Sequence, residues 1–155
     1  MPIYGLPRTD EQLFGLVNVV LPAWLLLAAA PAWRHTKTIS AAAALLMCSL
    51  YAALLVTMMA VRPEGGGLDV RDFFSHEGVF RTFSKKAAVL ICWVHYAAFD
   101  LWVGRWMAAD SVERGVPQLL LIPCLLIALF VGPAGLLAYW LVRTPFLKAG
   151  KQKAA

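Results

Sequence analysis

Charge is what this sequence has least of where a soluble protein would have most. Residues 12–33, 38–61 and 115–142 contain no Asp, Glu, Lys or Arg. Each gap exceeds the roughly 20 residues that an α-helix needs to cross about 30 Å of hydrocarbon. With 61% hydrophobic and 15% charged residues and a mean hydropathy of +0.69, a soluble domain of this size would run out of polar groups to cover itself. Histidine is scarce too. His35, His76 and His95 are too few for the His-rich di-iron site of membrane desaturases, or for two haems stacked across a bundle. A P-loop, a Rossmann fingerprint and a CxxC pair are all missing. Cys48, Cys92 and Cys124 lie inside apolar stretches and read as packing residues, not a disulfide or zinc framework. What remains is redox-neutral chemistry with no metal, cofactor or nucleotide. Acid–base rearrangement fits, since it needs only placed proton donors and acceptors.

What is present predicts an all-α fold: an integral membrane bundle of four transmembrane helices forming one domain over 1–155. The helices are expected at about 11–30, 38–61, 86–109 and 118–141, the third despite Asp100 and Arg105 within it. A positive n-region before the first span is missing, as is an Arg- and Ser-rich transit segment. The expected home is therefore a bacterial plasma membrane, or a plastid membrane if the chain is eukaryotic and processed. The net charge of +5 sits at helix ends and predicts no nucleic-acid partner. In a four-span topology Arg8, Arg62, Arg71, Arg81, Lys85, Lys86, Arg143, Lys148, Lys151 and Lys153 fall on one side. Arg34, Lys37, Arg105 and Arg114 fall on the other. That imbalance predicts a multi-pass protein with both termini cytoplasmic. The C-terminal lysines would favour anionic membrane lipid; a homo-oligomer or a membrane-complex subunit also fits.

The loop from Arg62 to Lys85 opens with Pro63, Gly65, Gly66 and Gly67, then mixes Phe73, Phe74, Val79, Phe80 and Phe83 with Arg71, Asp72, Glu77 and Arg81. This pattern predicts a short amphipathic helix on the cytoplasmic membrane surface. It serves as a lipid anchor or as a lid over a site.

The third helix carries the chemistry. Asp100 and His95 lie near its middle, where an ionised Asp costs about 2.5–3.5 kcal/mol on insertion scales, so an intramembrane carboxylate is a functional candidate. At roughly 100° per residue, His95, Phe99, Trp102 and Trp106 form one stripe, and Asp100 points away with Tyr96. The plainer readings are a carboxylate acting as interhelical glue, a packed core histidine and aromatic-belt tryptophans. Pro22 frees the carbonyl of Asn18 in the first helix, and Pro123 and Pro133 interrupt the last, most sharply at Gly132–Gly135. These breaks are either packing kinks or a polar cavity lined by Asn18 and Gly132.

The pattern Trp93-x-His95, Asp100-Leu101, Arg105 and Asp110, with Asn18 and Pro22 before it and Gly132-Pro133 after it, resembles the neoxanthin-synthase-like family. Plant members of that family are required for the abscisic-acid precursor neoxanthin. The resemblance implies four membrane helices and a carotenoid or related isoprenoid substrate. It also implies an isomerisation of carotenoid-epoxide type, in which an acid protonates an epoxide oxygen while a base deprotonates the adjacent polyene carbon. Asp100 as acid and His95 as base are the catalytic candidates. Asn18, Tyr96, Phe99, Trp102, Arg105, Trp106 and Gly132 are the substrate-binding candidates, Arg105 orienting Asp110 or a hydroxyl. The competing reading is a non-catalytic subunit that binds a pigment, lipid or quinone.

Overall fold

The first helix starts one residue earlier than its charges suggest, because Thr9 and Gln12 form a capping box. The Gln12 N–H donates to Thr9 Oγ1 at 3.3 Å, and the Thr9 N–H to Gln12 Oε1 at 3.1 Å. The computed structural model describes residues 9–61 and 69–147. Pro63, the three glycines after it, Arg8, Arg62 and the C-terminal lysines lie outside the described residues.

Helices α1 (Asp10–Leu16) and α2 (Val20–Ala29) are joined by a 3₁₀ turn, Val17–Val19. Pro22 explains the tightening. Its missing N–H falls in the first turn of α2, where no α-type partner is needed. Then come α3 (Thr36–Val61), a 3₁₀ turn Val70–Phe74, α4 (His76–Phe83) and α5 (Lys86–Arg114). The stretches Asp10–Ala29, Thr36–Ala60 and Lys86–Arg114 are each long and apolar enough to cross a membrane. α5 outruns its predicted end at Ala109 and stops at Gly115, whose φ of 71° is the left-handed conformation glycine tolerates. The Val116 N–H then closes onto the Ser111 carbonyl at 2.9 Å, the hydrogen bond of a Schellman cap.

The expected fourth span is instead two helices, α6 (Gln118–Phe130) and α7 (Gly132–Arg143). Pro123 stays inside α6 without ending it, whereas Pro133 opens α7, where its N–H is not missed. Val131 breaks the helix at φ −141°, ψ 70°, and α7 folds back along α6. A Cβ at Gly135 would strike the backbone of Ala128, seven residues earlier; a continuous helix would hold the two about 10 Å apart. The ends agree with this reversal. Gln118, at the start of α6, donates to the Ala28 carbonyl at 2.6 Å. Arg143, at the end of α7, reaches Asp110 near the end of α5 at 3.4 Å. Residues 118–141 are therefore a hairpin of two short helices and not one span. Arg114 and Arg143 both reach Asp110 and so share one end of this unit, against the expectation that places them at opposite ends.

Two units pack around their own contacts. One combines residues up to Asn18 with Leu46–Tyr96; the other combines Val19–Leu45 with the chain from Ala97 onward. In the first, Phe14 of α1 stacks on Trp93 of α5 with ring centroids 5.9 Å apart. The second buries Trp24, Leu27, Leu121, Leu125 and Tyr139. Apolar side chains also face outward, with Leu119, Phe130 and Leu141 more than two-thirds exposed.

Candidate functional site

In α5, Ala88, Ile91, Cys92, His95 and Tyr96 recur at the spacing of one helical face, and all five line a cavity of about 340 Å³. Tyr51, Leu55 and Met58 of α3 form its opposite wall, and Phe73, Thr82 and Phe83 from the segment before α5 close over it. The His95 imidazole has two phenol rings as neighbours. The Tyr51 ring centroid lies 5.2 Å away and that of Tyr96 6.1 Å away. The cavity is otherwise mostly apolar.

The closing segment is held by charge. Arg81 donates to Asp72 Oδ1 at 2.8 Å, and Thr82 Oγ1 to Asp72 Oδ2 at 3.4 Å. Ser75 caps α4 by accepting from the Gly78 N–H at 3.0 Å. The Arg81 guanidinium holds the Asp72 carboxyl below its ordinary value. All four phenylalanines of this segment are exposed, Phe74 and Phe80 the most, while Phe73 and Phe83 also line the cavity.

Asp100 belongs to the other unit, beside the hairpin. Gly132, the first residue of α7, is buried, and a Cβ placed there would collide with Asp100 Oδ1. The carboxylate thus abuts the positive end of the α7 dipole, which favours negative charge. Asp100 does not line the His95 cavity. The two catalytic candidates are each built into their own unit.

The remaining candidates divide in the same way. Tyr96 joins His95 in its cavity, and Asn18 sits exposed in the 3₁₀ turn. Phe99, Trp102 and Trp106 line a separate apolar groove with Val103, Leu136 and Trp140, so the predicted stripe loses His95. Arg105 does not hold Asp110. Its Nε donates to Ser40 Oγ at 3.1 Å, its Nη2 to the Lys37 carbonyl at 3.1 Å, and it lies over the Trp102 ring. Asp110 is held instead by Arg114 at 2.7 Å, by the Tyr139 hydroxyl at 2.8 Å and by Arg143. Sequence reasoning missed the Asp110–Tyr139 pair because a straight fourth helix carries Tyr139 to the wrong end. It also missed Tyr51, although the Cys92–His95–Tyr96 spacing already marks the face that Tyr51 meets.

The described residues define an all-helical protein with three membrane-length apolar helices and an imidazole on an apolar cavity. The chain belongs to the ABA DEFICIENT 4-like family, whose sequence profile matches residues 12–139, a stretch holding His95, Asp100 and Gly132. No curated protein and no solved structure matches it.

Two outcomes follow. Gly132→Ala drives a methyl into the Asp100 carboxylate and should cost about 1–3 kcal/mol by overpacking, read as a lower Tm in detergent. Asp100→Asn keeps the volume and should cost about 1 kcal/mol or less; a Tm unaffected by Gly132→Ala would dissolve the contact. Second, Asp72 has its pKa depressed in the folded state. Its stabilising effect is present above the unfolded carboxylate pKa of about 3.9 and is lost as pH falls through the lower folded value. Hydrogen exchange of residues 70–83, corrected for intrinsic rate, should lose protection below about pH 4 in the wild type. In Asp72→Asn it should show no such step.

Proposed function

We propose that this protein is a membrane-embedded acid–base isomerase acting on the ring end of a carotenoid or related isoprenoid. The observation that carries the reading is the His95 imidazole with two phenol rings beside it on an otherwise apolar cavity. Membership of the ABA DEFICIENT 4-like family supports a neoxanthin-synthase-like role in carotenoid metabolism. Membrane residence is supported by the three apolar helices and by the outward-facing Leu119, Phe130 and Leu141, which lipid tails accept and water does not.

A cavity of about 340 Å³ suits one end ring, with the polyene leaving through its opening; small-molecule sites start at about 300 Å³. Neutral His95 takes a proton from the polyene carbon beside the ring. The C–H electron pair becomes the new double bond of an allene, and the epoxide C–O bond opens. The oxygen collects a proton from Tyr51 or Tyr96, and the imidazolium returns its own to the phenolate. Nothing is gained or lost, so the product is an isomer. The acid role moves from Asp100 to a phenol of the His95 cavity, and Asp100 becomes a positioning residue for the hairpin.

The test is turnover of an epoxy-carotenoid by the purified protein in lipid nanodiscs. His95→Gln should lower the rate by about 10²–10⁴-fold while leaving copurified pigment in place. Tyr51→Phe,Tyr96→Phe should do the same. Unchanged turnover in both variants overturns the proton transfers. Absence of turnover in the wild type, with pigment retained, favours the non-catalytic binding subunit.

A further inference from the structure

The second unit holds a cavity of about 360 Å³ that the proposed chemistry does not use. It lies where the start of α3, with Thr36, Lys37 and Ser40, meets Trp102, Arg105 and Trp106 of α5. Its charge is of one sign. Arg105 and Lys37 line it, and no Asp or Glu does. The acids of α5 on either side of Arg105 are engaged elsewhere: Asp110 by Arg114, Tyr139 and Arg143, and Asp100 against Gly132.

Arg105 is held in place without being neutralised. Its Nε donates to Ser40 Oγ and its Nη2 to the Lys37 carbonyl, at 3.1 Å each, and its guanidinium lies 4.5 Å from the Trp102 centroid. Both acceptors are uncharged, and Nη1 has no hydrogen-bond partner among the described residues. The side chain is only half-buried, so that donor is within reach of a ligand. Lys37 is exposed and makes no ion pair among the described residues. The start of α3 adds to the same end of the cavity. The N–H groups of Lys37 and Thr38 have no backbone acceptor among the described residues, as at any helix start, and the helix dipole is positive there. A guanidinium, an ammonium and a helix start thus surround one cavity that lacks an anion of its own.

We infer that this cavity binds the phosphate group of a phosphate ester, borne by a membrane lipid or by a soluble molecule. The phosphate accepts from Arg105 Nη1, beside Lys37 and the start of α3. Guanidinium is well matched to phosphate oxygens, and helix N-termini favour phosphate by their free N–H groups and their dipole. The guanidinium is already fixed by two hydrogen bonds and an indole, so little freedom is lost on binding. The remaining walls, Leu27, Trp102 and Trp106 among them, are apolar. A bare phosphate would leave them wet, whereas the carbons of an ester cover them. None of these residues lines the His95 cavity, so the site does not rest on the isomerase chemistry and its test is independent of turnover.

The experiment uses the full chain in neutral detergent, with binding read by thermophoresis. The probes are dioctanoyl phosphatidic acid, dioctanoylglycerol, which has the same tails and no phosphate, glycerol 3-phosphate and inorganic phosphate. Phosphatidic acid should bind about tenfold or more tightly than dioctanoylglycerol, the worth of a charge-assisted hydrogen bond. Arg105→Gln should remove that preference. Because Arg105 also ties α3 to α5, Lys37→Glu provides a second route. It reverses an exposed charge, leaves in place the carbonyl that Arg105 holds, and suits a helix start. The Tm without ligand should therefore be kept while the preference is lost. Glycerol 3-phosphate binding as tightly as phosphatidic acid supports the site with a soluble ester as its occupant, and weaker binding supports it with a lipid. Equal binding of phosphatidic acid and dioctanoylglycerol overturns the site, as does a preference that survives both variants. Inorganic phosphate binding as tightly as either ester shows that the apolar walls take no part and overturns the ester.

Discussion

The contact between Asp100 and Gly132 sets the rest of the second unit. A carboxylate inside an apolar protein needs compensating charge or hydrogen bonds, and the start of a helix offers both unpaired N–H groups and the positive end of a dipole. Only a residue without a side chain lets the carboxylate come this close. With the hairpin tip at Asp100, α7 runs alongside α5 for the ten residues that separate Asp100 from Asp110, a rise of about 15 Å. Trp106 meets both Tyr139 and Trp140, and Arg143 arrives at Asp110. The tryptophan groove, and Arg143 over the Trp106 and Trp140 rings, are consequences of that register.

The first unit obeys a different logic. Its cavity is made by side-chain spacing along two continuous helices and bordered by a short segment held by the Asp72–Arg81 ion pair, the Thr82–Asp72 hydrogen bond and the Ser75 cap. An exposed pair of this kind is worth little at the surface. Here it ties the 3₁₀ turn that carries Phe73 to the capped helix that carries Phe83, and both rings line the cavity of His95.

The long apolar helices were legible because lipid imposes a length on apolar runs: α3 lies where a charge-free run predicts it, and α5 follows the apolar stretch that holds Asp100 and Arg105. His95 and Asp100 stood out because titratable groups are expensive at that depth. The hairpin was not legible. Residues 115–142 are long and apolar enough for one crossing, and neither Pro133 nor Gly132 says how sharply the chain turns. Val131 and the Gly135–Ala128 approach decide that, and both depend on tertiary packing. The division of the His95, Phe99, Trp102, Trp106 stripe has the same origin. Helical periodicity assigns a face, but which neighbours cover each turn of it depends on where α7 goes.

The fold-back of the last apolar stretch is therefore the claim on which the groove, the role of Asp100 and the position of the C-terminal arginine rest. Spin labels on exposed Leu119 and Leu141, at the outer ends of α6 and α7, measure it directly by pulsed dipolar spectroscopy in nanodiscs. A hairpin places them within about 20 Å. A single helix through both positions separates them by about 33 Å, and that distance would contradict the account.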